Sequence, residues 1–176
     1  MIVAGFDIAT TTGCCILNGQ TVVHIEAFPA KGDDDASIFT NWRTWFRAML
    51  VSHQVEVVAI EAPLVTDIKA PDKRPNATPG QTRNPVTMKT YLRLYGLRGH
   101  AVQICHALNI ECRELHQSTW RKAFTGNGRA SKEETLALAR RIYPNLKSKD
   151  AAEALGVAWA LNGELSKRDL FTAEVA

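Results

Sequence analysis

Cysteine is scarce, long apolar runs are missing and no two cysteines stand in a CxxC pair, and each shortage removes a class of protein. Four cysteines in 176 residues are too few for a disulfide scaffold, and the neighbours Cys14 and Cys15 could bridge only with strain. Together with Cys105 and Cys112 they are read as reduced core thiols. Without CxxC spacing, a zinc site combining Cys105 and Cys112 with His100, His106 or His116 is a poor alternative. No stretch approaches the roughly eighteen apolar residues of a membrane span, and Met1-Ile2-Val3-Ala4-Gly5-Phe6-Asp7 lacks the basic flank of a secretion signal. A cytoplasmic protein without a membrane partner is expected. With no internal repeat and no dividing linker, one α/β domain over residues 1–176 is predicted, and 45% hydrophobic content suffices for a single core.

Charge is unevenly spread. Residues 69–141 hold 14 Lys/Arg against 5 Asp/Glu, and the remainder holds 7 against 13, so a net charge of +3 conceals a basic middle and acidic ends. A polyanion partner combined with an acidic metal site would need this division, although a solvated charged surface produces it too.

Periodicity orders the elements. Ile2, Ala4, Phe6 and Ile8 alternate with Val3, Gly5 and Asp7, the pattern of a buried first strand. Cys14–Leu17 and Val22–Phe28 follow as antiparallel strands joined at Asn18-Gly19, a strong hairpin signal. After the acidic turn Asp33-Asp34-Asp35, helical spacing covers Ile38–Val51, and Val55–Glu61 is a fourth strand, parallel to the first if that helix is a crossover. Five prolines between Pro63 and Pro85 mark a long mobile loop over 63–84. Val86–Leu108 returns to a helix with two apolar stripes, Met88, Leu92, Tyr95, Val102 and Leu94, Leu97, Ala101, Ile104, Leu108, one able to face the sheet and the other a partner. A fifth strand, Ile110–Leu115, precedes a small helix starting at Ser118-Thr119; a capping box, Ser131 to Glu134, opens a helix through Ile142. Asp150–Leu161 forms the last helix, followed by a short tail over 163–176.

Three acidic signals interrupt this pattern. Asp7 lies in the most hydrophobic strand, Glu61 ends another, and Asp150 and Glu153 share a helix face at i, i+3. Singly they have ordinary explanations: a turn residue, a strand-end charge, acids that suit a helix N-terminus. Together they are more specific, because adjacent first and fourth strands would bring Asp7 beside Glu61 and the last helix would lay Asp150 and Glu153 across them. Such a cluster repels itself unless divalent cations neutralise it, and oxygen ligands favour Mg²⁺, with Mn²⁺ as substitute, over zinc.

Gly5-Phe6-Asp7-Ile8-Ala9-Thr10-Thr11-Thr12-Gly13, Ala59-Ile60-Glu61, the loop Thr125–Lys132 and Lys149-Asp150-Ala151-Ala152-Glu153 occur in the order that resembles the RuvC family of Holliday-junction resolvases, over most of the chain to residue 162. The resemblance implies a ribonuclease-H-like mixed five-stranded sheet, three antiparallel strands then two parallel, flanked by helices. It implies a bacterial or phage endonuclease that cuts branched DNA, with two Mg²⁺ ions held by Asp7, Glu61, Asp150 and Glu153. The family usually carries Asp where Glu153 stands, and its loop after the second acid is shorter than 63–84. By the same resemblance Arg121 and Lys132 match basic DNA-contacting positions, with Lys132 also near the scissile phosphate, and Leu64 matches an apolar side chain that wedges into the junction. Lys122 and Arg129 flank the glycine loop 126–128, and Lys69, Lys73, Arg74 and Arg83 can meet backbone phosphates from the proline-rich loop. Gly96 and Gly99 are similar to a glycine pair in the family's dimer helix, which implies a homodimer making paired cuts. Two rivals stay open: a non-catalytic branched-DNA-binding protein, and an actin-like ATP-binding kinase fragment in which Thr10-Thr11-Thr12-Gly13 is a phosphate loop.

Overall fold

A computed structural model describes residues 1–63 and 88–173, with side chains to Lys167 in the last helix. Strands β1 (Ile2–Asp7), β2 (Thr11–Asn18) and β3 (Thr21–Pro29) form an antiparallel meander; helix α1 (Asp35–Ser52) then crosses to β4 (Val57–Glu61). Helix α2 (Met88–Ala107) leads to β5 (Glu111–Leu115), and α3 (Gln117–Thr125), α4 (Lys132–Ile142) and α5 (Lys149–Ala173) complete the chain. The sheet order is β3-β2-β1-β4-β5, with β1–β2 and β2–β3 antiparallel and β1–β4 and β4–β5 parallel. This is the predicted mixed sheet.

Alternation in β1 divides the core into two layers. Ala4 and Phe6, with Cys14, Ile16, Val58 and Ile60, pack against Trp42, Phe46 and Leu50 of α1 and Leu97, Ala101 and Ile104 of α2. Val3, with Cys15, Leu17, Val57 and Ala59, meets α3, α4 and the alanine-rich face of α5. Cys14, Cys15 and Cys105 are buried thiols and Cys112 is half-buried. The two stripes of α2 separate as expected: Leu97, Ala101 and Ile104 are buried, whereas Met88, Leu92, Tyr95 and Val102 are exposed. Gly96 makes its close approach inside the molecule, against Phe39 of α1, while Gly99 has open space beside it.

Helix ends differ from the sequence reading where caps decide them. The acidic turn is itself the start of α1: Asp34 caps it reciprocally with Ser37, so the helix begins at Asp35 rather than Ile38. Helix α3 begins at Gln117, because the extended His116 already accepts from Thr119 N and Trp120 N. The expected capping box of α4 is present, with Ser131 and Glu134 bonded to each other's backbone. The expected tail over 163–176 is a correction: α5 continues to Ala173. Leu165 is buried one turn after Leu161, so the apolar face continues past the expected end, and residues 162–173 contain no proline to stop the helix. Apart from Pro63, the expected loop 63–84 lies outside the described residues.

Candidate active site

Asp7 is the last residue of the central strand, and β4 runs parallel beside it with Phe6 opposite Ile60, so Asp7 and Glu61 emerge from the same edge of neighbouring strands. Helix α5 crosses these strands at backbone contact because two glycines leave room. A Cβ on Gly5 would stand 2.3 Å from Ala158 N, and one on Gly13 would stand 2.0 Å from Asp150 O. Since Gly13 is paired with Asp7, the same close approach brings the start of α5 over Asp7. One ligand oxygen from each of Asp7, Asp150 and Glu153 then lies within 4.8 Å of the others. Glu61 stands beside this trio, its Oε1 accepting from Gln117 Nε2 at 3.1 Å and its Oε2 from Trp120 Nε1 at 2.9 Å.

The charges act on one another. Burial, then the Glu61 and Glu153 carboxylates and more weakly Asp150, hold the Asp7 carboxyl well above its ordinary value, with Lys132 opposing. Burial also raises Glu61; the indole N–H of Trp120 and the cations Arg121 and Lys132 work against that rise, whereas Glu153 adds to it. Lys132, reaching in from the first turn of α4, lies 3.4 Å from Asp150 Oδ1 and 4.0 Å from Asp7 Oδ2 and pairs directly with Glu153 Oε2. Its burial would depress the ammonium, yet these three carboxylates outweigh that and raise it. Glu153, only 2% exposed, also accepts from Arg121 Nη2 at 2.5 Å. A partly buried, mutually repelling set of oxygen donors fits a hard divalent cation, which supplies the missing positive charge and accepts several carboxylates at once. Among the described residues no other group of three or more His, Cys, Asp or Glu converges in this way.

The basic residues divide. Arg121 faces inward onto Glu153, and its guanidinium lies 5.2 Å from the centre of the Trp120 ring. Lys122 and Arg129 are exposed and, with Ser118, Thr119, Asn127 and Gly128, line an open depression of about 770 Å³ between α3 and the glycine loop. Leu64, Lys69, Lys73, Arg74 and Arg83 lie outside the described residues. Sequence reasoning missed Gln117 and Trp120. Their i, i+3 spacing just after β5 was the available signal.

No family model matches the chain. A stretch of 73 residues is 30% identical to the crossover junction endodeoxyribonuclease RuvC of Rickettsia akari, covering 40% of this chain and 46%, a little under half, of that protein. The structure of Thermus thermophilus RuvC superposes with a TM-score of 0.68 at 17% identity, over 91% of this chain and 92% of that one. T. thermophilus RuvC in complex with a Holliday junction substrate gives 0.69 at 15% identity, over 91% of each. The yeast mitochondrial Holliday junction resolvase gives 0.58 at 12% identity, over 99% and 84%. The chain has the fold of RuvC, as its sequence resemblance implied.

Proposed function

We propose that this chain is a divalent-metal-dependent endonuclease that resolves Holliday junctions or related branched DNA by paired phosphodiester cleavage. The observation that carries the reading is the convergence of Asp7, Asp150 and Glu153, with Glu61 alongside, at the edge of β1 and β4 in a RuvC-like fold. These four carboxylates would hold two Mg²⁺ ions, or Mn²⁺ in their place, whose chemistry is to activate a water and stabilise the leaving oxygen. The protein's own groups do the rest. Lys132, half exposed at the rim of the acid cluster, offers its ammonium to a non-bridging oxygen of the scissile phosphate, where negative charge grows in the transition state. Lys122 and Arg129 receive flanking phosphates in the depression they line. Arg121, held at Glu153, acts from within the site. The basic residues Lys69, Lys73, Arg74 and Arg83 are proposed to add phosphate contacts, and Leu64 is the proposed wedge at the strand exchange.

Two sites are needed for paired cuts, and the exposed Met88, Leu92, Tyr95 and Val102 stripe of α2 is the proposed two-fold interface of a homodimer. The RuvC bound to a Holliday junction substrate supports branched DNA as the partner. The test is incubation with labelled four-way, three-way and linear duplex DNA, with and without Mg²⁺ or Mn²⁺, followed by nick mapping. Metal-dependent, symmetrically paired nicks in the four-way junction are expected; no cleavage of any branched substrate with either metal overturns the reading.

A further inference from the structure

Glu61 is held differently from its neighbours. Asp7, Asp150 and Glu153 face the ammonium of Lys132, whereas both oxygens of Glu61 accept from neutral donors, Gln117 Nε2 and Trp120 Nε1. The distinction matters for a ligand. A cation bonded to a carboxylate offsets part of the charge that attracts a metal, whereas a neutral N–H fixes its orientation and leaves the charge in place. Each oxygen has a second lone pair, so one donor per oxygen still leaves the group able to coordinate.

The donors are themselves firmly seated. Gln117 and Trp120 lie one turn apart on α3 and present to the same side. Trp120 is fully buried, and the indole N–H is its only polar side-chain atom. Its ring lies on α5 where Gly156 leaves space: a Cβ there would stand 2.7 Å from Trp120 Cζ3. Gly156 is three residues beyond Glu153, and the next residue of α3, Arg121, bonds Glu153 Oε1. One turn of α3 therefore links acids from two elements, β4 and α5.

We infer that Trp120 and Gln117 are positioning residues for Glu61, fixing its carboxylate so that its free lone pairs face the Asp7, Asp150 and Glu153 cluster. The inference rests on the metal-nuclease reading of the site. Loss of comparable outer hydrogen bonds costs roughly 10- to 100-fold in metal affinity, whereas a tryptophan that merely filled space would affect stability alone.

The experiment is calorimetric titration of the metal-free full chain with Mn²⁺ for wild type, Gln117→Leu, Trp120→Phe and the double variant, with thermal melts of each and Trp42→Phe as a control. Trp42 is a buried tryptophan in the opposite layer, bonded to Thr12. We expect each single variant to weaken Mn²⁺ binding about 10-fold, with lost cleavage partly recovered at saturating Mn²⁺, while Trp42→Phe lowers the melting temperature and leaves Mn²⁺ affinity unchanged. Gln117 is half-buried, so Gln117→Leu carries the test by itself if Trp120→Phe does not fold. Wild-type Mn²⁺ affinity in a folded Gln117→Leu or Trp120→Phe protein overturns the positioning role and leaves the nuclease reading standing. Absence of Mn²⁺ binding by the wild type overturns both.

Discussion

Replacing Asp7 by Asn should stabilise the metal-free protein while abolishing its metal response and its cleavage. Asp7 has like charges on Asp150 and Glu153 within 4.8 Å, and at an effective dielectric constant near 20 each repels it by roughly 3 kcal/mol. Lys132, 4.0 Å away, returns about 4 kcal/mol on the same scale, less the screening due to a lysine that is nearly half exposed. A net penalty of about 1–3 kcal/mol remains before burial and the Glu61 carboxylate, which also repels Asp7, are counted. The amide keeps the shape without the charge, so Asp7→Asn should raise the melting temperature in EDTA by roughly 3–10 °C for a chain this long. The pH dependence follows from the raised Asp7 carboxyl. Its contribution to stability is present below the ordinary value of 3.8 and is lost as pH rises through the higher folded-state value. The gap between variant and wild type should therefore grow as pH rises through the folded-state value and close as pH falls toward about 4. Saturating Mg²⁺ or Mn²⁺ acts oppositely, stabilising wild type by about 3 kcal/mol at a hundredfold excess over its dissociation constant and the variant by much less. Thermal melts in EDTA, Mg²⁺ and Mn²⁺ from about pH 4 to 8 give all of these shifts. A variant less stable than wild type at neutral pH without metal, or one that retains the full metal-induced rise, refutes the acid-cluster argument.

Gly13→Ala places a Cβ against the Asp150 carbonyl; α5 must lift, so we expect a loss of about 1–3 kcal/mol or more in denaturant melts, together with weaker Mn²⁺ binding. Wild-type values for both would show that α5 is not seated there. Replacing Lys122 and Arg129 together by Ala should weaken binding to every DNA shape and flatten the plot of log affinity against log salt by about 0.9 for each phosphate no longer neutralised. An unchanged slope in gel shifts at several salt concentrations rules out the depression as a phosphate site. Leu92→Glu, on an exposed residue of α2, should leave folding intact and convert a dimer to monomer in sedimentation at micromolar concentration; a wild-type protein that sediments as a monomer with and without junction DNA contradicts the interface.

Much of the fold and the acid cluster was legible because both arise from local pattern. Alternation in Ile2–Asp7, the Asn18-Gly19 turn and the crossover before Val57 determine which strands neighbour each other, and an acid closing each of two parallel strands must then emerge at one edge. What was not legible depends on long-range seating. Glu61 is held by residues 56 and 59 positions further along the chain, and nothing near Trp120 says that its indole N–H has a carboxylate to find. Arg121 reads as one more cation in a basic block until its inward direction is seen. Helix α5 runs on past the expected end at Leu161 because Leu165 still has a core to reach.

The segment Thr10-Thr11-Thr12-Gly13 shows how tertiary contact decides between two meanings of one motif. As a phosphate loop it would leave its glycine and hydroxyls free to meet a ligand. Instead Thr12 is fully buried, its hydroxyl donating to Ala9 O at 2.6 Å and accepting from Trp42 Nε1 at 2.8 Å. The space a side chain on Gly13 would fill is occupied by the Asp150 backbone. The glycine thus admits a helix rather than a nucleotide, and the helix it admits carries Asp150 and Glu153. A small residue opposite Asp7 is therefore as much a condition of the acid cluster as the acids themselves, since any Cβ at position 13 would push away two of the four carboxylates.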